Sequence, residues 1–139
     1  MPVNIRPARN DDAAAVLRFW SASAYGVSPT DDPDGLTSLL AQPGDGLLLA
    51  VESGEIIGTI IAGWDGWRGN LYRLAVLQAH RRKGVAGLLV REAEKRLREK
   101  GARRIGALVE VDNEPGRAFW ASQGYDVASS QTRFVKDLA

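Results

Sequence analysis

Arg81, Arg82 and Lys83 run directly into Gly84, and Val85-Ala86-Gly87 follow before an apolar periodic stretch begins. Three cations beside a glycine-containing turn at a helix start have the chemistry of anion binding. The free N–H groups of a first helical turn point outward, the dipole end is positive, and Gly84 and Gly87 admit a phosphate close to the backbone. Spacing excludes two familiar phosphate loops. A Walker-type loop needs Gly-x-x-x-x-Gly-Lys and then Ser or Thr, and a dinucleotide fingerprint needs Gly-x-Gly-x-x-Gly; Gly84-Val85-Ala86-Gly87 supplies neither. Two other groups have the opposite character. Trp64, Asp65 and Trp67 share a glycine-rich loop, and Asp31, Asp32 and Asp34 share a proline-containing turn. Aromatic faces and carboxylates suit a cationic amine. Each also has a plainer reading, as rings folded back on a sheet edge and as acids of a solvated loop.

The rest of the composition narrows the chemistry. There is no cysteine, hence no disulfide framework, thiol nucleophile or thiolate metal site, and one histidine makes a histidine-rich metal site a poor expectation. A net charge of +1 supplies no field to gather nucleic acid or an anionic membrane. The start, Met1-Pro2-Val3-Asn4-Ile5-Arg6, carries no apolar signal segment, and no apolar run reaches membrane-spanning length. The 139 residues, 45% hydrophobic and 25% charged, read as one domain, 1–139, with a real core and a cytoplasmic setting.

The elements that must position these residues follow from pattern. Val3 to Arg6 alternates and stops at Pro7, a short first strand. Asn10, Asp11 and Asp12 offer caps for a helix from Ala13 to about Ala22 with Val16, Leu17 and Trp20 on one stripe. Leu36, Leu39 and Leu40 suggest a second short helix ended by Pro43-Gly44. Leu47–Glu52 and Glu55–Gly63 flank Ser53-Gly54 as an antiparallel hairpin. Leu71–Leu77 is a strand; Val85, Leu88, Leu89, Ala93 and Leu97 then recur at helical spacing until Gly101. Arg104–Val111 is the next strand, and Asp112-Asn113 caps a helix whose early Pro115 suits its first turn. Tyr125–Val127 and Thr132–Lys136 read as a terminal strand pair. Strand, helix and strand across Leu71–Val111 form a parallel crossover.

The form Arg81-x-x-Gly84-x-Ala86 after Leu74-Ala75-Val76 resembles the coenzyme A pyrophosphate loop of the GCN5-related N-acetyltransferases, usually Arg/Gln-x-x-Gly-x-Gly/Ala. A second landmark, Asn113-Glu114-Pro115-Gly116-Arg117-Ala118-Phe119-Trp120-Ala121-Ser122-Gln123-Gly124-Tyr125, resembles that family's Asn-x-x-x-x-Ala-x-x-aromatic-x-x-x-Gly-aromatic element. The two motifs stand in family order, and the resemblance covers nearly the whole chain. It implies an α/β fold: a single mixed, mostly antiparallel sheet with a central parallel strand pair, the fourth and fifth, splayed to hold coenzyme A, and about four helices.

The same resemblance assigns roles. The pantetheine arm would pair with main-chain groups of Leu74, Ala75 and Val76, and an amide near Val76 would hold the oxyanion. The pyrophosphate would rest on N–H groups from Arg82 through Gly87, including Val85 and Ala86, with Arg81 and Lys83 adding charge. Asn113 would contact the pantetheine region, with Phe119 and Trp120 flanking the arm. The region between the first two helices commonly forms an acceptor wall, which gives Asp31 a substrate reading beside Trp64, Asp65 and Trp67. The chain departs from the family in its acid and base. Trp120 occupies the position of the general-acid tyrosine, and indole is no useful proton donor. Leu108 stands where one subgroup has a glutamate base. Glu110, two residues on and on the same strand face, becomes a candidate base, and Tyr72, on a face shared with Leu74 and Val76, a candidate acid. Structural roles for both stand beside these.

The expected activity is acetyl-CoA-dependent transfer of an acetyl group to a primary amine of a small molecule, peptide or protein, without a metal. A non-catalytic acetyl-CoA-binding regulatory module is the alternative. The basic residues around Arg81-Arg82-Lys83 and the central helix also raise nucleic-acid binding, against which the interspersed glutamates argue. The expected partners are acetyl-CoA and the amine, with no nucleic acid and no membrane; the residues leave the oligomeric state open between monomer and homodimer, and the family often dimerises.

Overall fold

The computed structural model describes residues 2–22, 28–42 and 46–138. Two compact units divide the chain, Met1–Leu108 and Val109–Ala139. The first holds a five-stranded open sheet in the order β1 (Asn4–Pro7), β2 (Leu47–Glu52), β3 (Glu55–Trp64), β4 (Gly69–Val76) and β5 (Ile105–Ala107). The first three pairings are antiparallel and β4–β5 is parallel. Helices α1 (Ala13–Ser21), α2 (Pro33–Ala41) and α3 (Val85–Lys100) belong to this unit. This is the sheet and topology the resemblance implies.

Side-chain periodicity explains the layering. Val16, Trp20 and Leu36 of α1 and α2 bury against Leu47 and Leu49, with Ile56 and Ile61 packed alongside. Leu48 and Ala50, which alternate with those residues along β2, are also fully buried, so this strand is covered on both faces and reads as an unbroken apolar run. Helix α3 covers the other face with Val85, Leu89, Val90, Ala93 and Leu97. Its close seat depends on Gly58 in β3, where a Cβ would stand 3.0 Å from Leu89 Cδ1 and 3.2 Å from the Ala75 carbonyl oxygen. At its far end Gly101 takes φ of 111°, as the glycine stop predicts.

Local chemistry also sets the other helix starts. Asp32 accepts the Gly35 N–H at 2.7 Å and Pro33 fits the first turn, so α2 begins three residues before its leucine pattern. The Pro43-Gly44 stop lies outside the described residues. A bidentate pair from Arg6 to Asp12, at 2.8 and 3.0 Å, joins the end of β1 to the turn before α1.

In the second unit, α4 (Glu114–Ser122) starts as predicted: Asn113 Oδ1 accepts the Gly116 N–H at 3.0 Å. The terminal strand pair is not found. No strand occurs over described residues 125–138, and Val127, Phe134 and Val135 are exposed. Strand-forming residues mark a segment able to pair, but a strand needs a partner ladder and a covered face, and this one has neither among the described residues. The fifth strand is likewise shorter than its apolar pattern, three residues in place of 104–111.

Candidate functional site

Strand β4 is paired along its whole length on one side only. Its β5 partners are confined to Gly69, Asn70 and Leu71, with one further bond from the Leu108 N–H to the Leu71 carbonyl at 3.4 Å. Past Leu71 the outer edge of β4 has no strand partner among the described residues. On the inner side the ladder to β3 skips a step: Ile61 pairs with Tyr72 and Thr59 with Ala75. Arg73 and Leu74 therefore oppose Ile60 alone, a β-bulge, and Arg73 takes φ of 52°.

The bulge decides which main-chain groups face outward. The Leu77 N–H donates to the Ile57 carbonyl of β3 at 2.9 Å. Alternation then turns Val76, and two residues back Leu74, toward the open edge, while Ala75 faces β3 beside Thr59. Of the three residues expected to offer main-chain groups, two lie on the open side. The Val76 carbonyl accepts from Arg81 Nε at 3.4 Å, which ties the strand end to the basic turn.

That turn is built to leave N–H groups free. Arg82 takes φ of 65° and Gly84 of 82°, two left-handed residues within three. Such alternation turns successive N–H groups toward one concavity. The first-turn N–H groups of Val85, Ala86 and Gly87 have no intrahelical acceptor, and no side chain caps α3. A Cβ on Gly84 would meet nothing within 4 Å; the turn is open at this point. Arg81, Arg82 and Lys83 are exposed around it. Outward strand amides, cations and open donors follow one another along the chain from Leu74 to Gly87. The residues present fit a pyrophosphate carried on an extended arm. His80 closes the preceding turn with Nδ1 3.3 Å from Glu52 Oε2.

A buried polar relay holds the bulge, and sequence reasoning missed it. Trp20 Nε1 donates to Thr59 Oγ1 at 3.0 Å, and the Thr59 hydroxyl donates to the Arg73 carbonyl at 2.9 Å. The Arg73 guanidinium forms an ion pair with Asp31 and lies 5.1 Å from the Trp20 ring centroid. Burial pulls the guanidinium below its ordinary pKa. The available signal was polar intrusion: Thr59 is the polar residue within residues 56–61, and Arg73 the charged residue within residues 71–76.

The other candidates take separate places. Tyr72 pairs with Ile61, on the face turned to α1 and α2, and Val76 pairs with Gly58, on the face turned to α3. The expectation that Tyr72 and Val76 share a face is corrected, because the bulge inserts an extra residue between them. Asp65 Oδ1 accepts the N–H groups of Trp67 and Arg68 at 2.8 and 2.7 Å. The Arg68 bond first, then the Trp67 bond, lowers its pKa. Trp67 is 68% exposed under the Arg68 guanidinium, 4.0 Å from its ring centroid, whereas Trp64 is half-buried. This loop precedes β4 and the basic turn follows it, so about 23 Å of strand separates them. Within the second unit, Glu110 is exposed and Asn113 caps α4. Trp120 is buried edge-on between Phe119 and Tyr125, at ring distances of 5.5 and 4.9 Å. No cluster of three metal-ligating side chains occurs among the described residues. No helix among them is long and apolar enough to cross a membrane.

Comparison with known proteins agrees with this fold. The family described as "Acetyltransferase (GNAT) family" matches residues 13–125. The acetyltransferase SG1711 of Sodalis glossinidius is 31% identical over 137 residues, 98% of this chain and 96% of that protein. The acetyltransferase ECA0875 of Pectobacterium atrosepticum is 31% identical over 139 residues, 97% and 98% of the two chains. Among solved structures, the aminoglycoside 6'-N-acetyltransferase AAC(6')-IG from Acinetobacter haemolyticus superposes with a TM-score of 0.78, 25% identity, and 98% and 99% coverage. The PaiA N-acetyltransferase from Thermoplasma acidophilum, solved in complex with coenzyme A, gives a TM-score of 0.81 at 20% identity and 91% coverage of each chain.

Proposed function

The chain belongs to the acetyltransferase (GNAT) family, and from that premise we propose that it moves an acetyl group from acetyl-CoA directly to a primary amine. One observation carries the reading: the unpaired outer edge of β4 leads straight into a turn with two left-handed residues and an uncapped helix start. Acetyl-CoA brings an activated thioester carbonyl. The chain's own task is to hold and polarise it. N–H groups from Arg82 through Gly87 take the pyrophosphate, with Arg81 and Lys83 adding charge. The outward groups of Leu74 and Val76 pair with the pantetheine arm, and the Val76 N–H stabilises the oxyanion formed as the amine attacks. Asn113, Phe119 and Trp120 enter through the resemblance of their motif alone.

Glu110 is the proposed base that accepts the amine proton, and Tyr72 the proposed acid for the departing thiolate. A base acts deprotonated, so Glu110→Gln should flatten the acid limb of the rate profile; an unaltered limb removes it. Trp64, Asp65 and Trp67 are proposed acceptor contacts, with Asp31 on the wall behind. Because aminoglycoside acetyltransferases share this fold, a polyamine sugar belongs in the amine panel beside peptide amines. The proposal includes one catalytic domain, a cytoplasmic setting and a homodimer.

Calorimetric titration with acetyl-CoA, then coenzyme A, then a dephosphorylated adenine nucleotide as control is the test. Saturable binding of the first two and free-thiol release with an amine are expected; no binding overturns the reading. One finding favours a second reading, a non-catalytic acetyl-CoA sensor. The family's tyrosine position is Trp120, 7% exposed and enclosed by rings. Turnover with any amine excludes it.

A further inference from the structure

Arg73 is an arginine where the backbone favours glycine. At φ of 52° an L side chain crowds its own carbonyl, and such residues persist only when their surroundings over-determine them. Here three separate elements do so. The Thr59 hydroxyl of β3 fixes the Arg73 carbonyl, itself oriented by Trp20 of α1. The guanidinium turns inward to Asp31 and leaves the Arg73 side chain 20% and the Asp31 side chain 6% exposed. Asp31 also accepts the Ser28 N–H at 2.9 Å, and the next residue, Asp32, caps α2. One carboxylate thus joins the segment leading into α2 to the residue that creates the bulge.

We propose that Asp31 and Arg73 are a positioning pair that couples the segment ahead of α2 to the outward amides of Leu74 and Val76. The inference rests on the reading of that strand edge as the acyl-donor site. With the pair intact, the extra residue stays fixed opposite Ile60 and Val76 keeps its outward N–H. With it broken, the buried guanidinium loses the Asp31 carboxylate and the bulge has a second register within reach. Asp31 then acts through Arg73, and the acceptor wall and the oxyanion amide move as one.

The test uses the full chain with Asp31→Asn, Arg73→Gly, Arg73→Lys and the Asp31→Asn/Arg73→Gly double variant. Arg73→Gly keeps the left-handed backbone without strain and removes only the side chain. Relaxation dispersion at the Leu74, Ala75 and Val76 amides, in the ligand-free chain, should appear in Asp31→Asn and Arg73→Gly and be suppressed in Arg73→Lys. In turnover, kcat should fall at least tenfold in both, with coenzyme A affinity falling by a smaller factor because the pyrophosphate turn is untouched, and the double variant should be no worse than either alone. Arg73→Lys should recover most of the lost kcat. Dispersion-free amides together with kcat within twofold of wild type in Asp31→Asn overturn the pairing, as do additive losses in the double variant. If Arg73→Gly fails to fold, Asp31→Asn and Arg73→Lys read the same coupling. A wild-type chain that binds no acetyl-CoA defeats the transferase reading, and the dispersion arm still decides the pair.

Discussion

The Thr59 hydroxyl donates to the Arg73 carbonyl at 2.9 Å while accepting from Trp20 Nε1 at 3.0 Å. One fully buried threonine thereby connects α1 to the bulge of the strand that carries the candidate site. Thr59→Val keeps the shape and leaves both the indole N–H and the carbonyl without this partner. A loss of about 1–3 kcal/mol is expected, the cost of unsatisfied buried polar groups. Chemical denaturation of Thr59→Val, Trp20→Phe and the double variant measures it; additive losses would argue against a relay.

Gly84→Val tests the basic turn. The space around Gly84 is open, so the cost is conformational, about 1–2 kcal/mol for an L residue at positive φ. Acetyl-CoA affinity should fall at least tenfold by calorimetry. Gly101→Ala is the control. Its φ is equally unfavourable, but it ends the 16-residue α3, about 24 Å from the turn, so stability should drop with affinity unchanged.

Gly58→Ala tests the seat of α3. Its new methyl meets the Leu89 tip, the Val85 Cγ1 at 3.3 Å and, at 3.2 Å, a main-chain oxygen that no rotamer change can move. Overpacking of this kind costs about 1–3 kcal/mol. A lower denaturation midpoint with an unchanged slope is the expected result, and trimming Leu89 should recover only part of it.

Acid sensitivity should track Asp12. Its hydrogen bonds from Arg6, and then its bond from the Arg9 N–H, hold the carboxyl below its ordinary range. A carboxylate lowered on folding contributes stability above the unfolded-state value, about 3.9, and loses it as pH falls through the folded value. The pair is solvent-screened, so about 0.5–1 kcal/mol is at stake. Asp12→Asn should lose that amount at pH 7 and show a flatter decline below about pH 4 than wild type. Equal acid limbs in thermal melts across pH would assign the decline to other carboxylates.

The basic turn, the long helix and its stop were legible because each is written locally. Val85, Leu89, Ala93 and Leu97 recur at helical period, Gly101 ends the run, and Arg81-x-x-Gly84-x-Ala86 sits between a strand pattern and a helix pattern. The cap at Asn113 was legible for the same reason. The terminal strands are absent from the described residues although Thr132–Lys136 holds strand-forming Thr, Phe and Val, because local propensity carries no information about a partner.

What sequence alone determined is the basic turn at the start of the long helix and the crossover that presents it, since capping, dipole and periodicity act between residues a few positions apart. Tertiary structure decided how β4 is used. Whether Tyr72 and Val76 share a face depends on a bulge set by pairing with β3. Whether Asp31 is a free acid depends on Arg73, which lies 42 positions along the chain. Register and burial are relations between distant segments, and only folding brings those segments together.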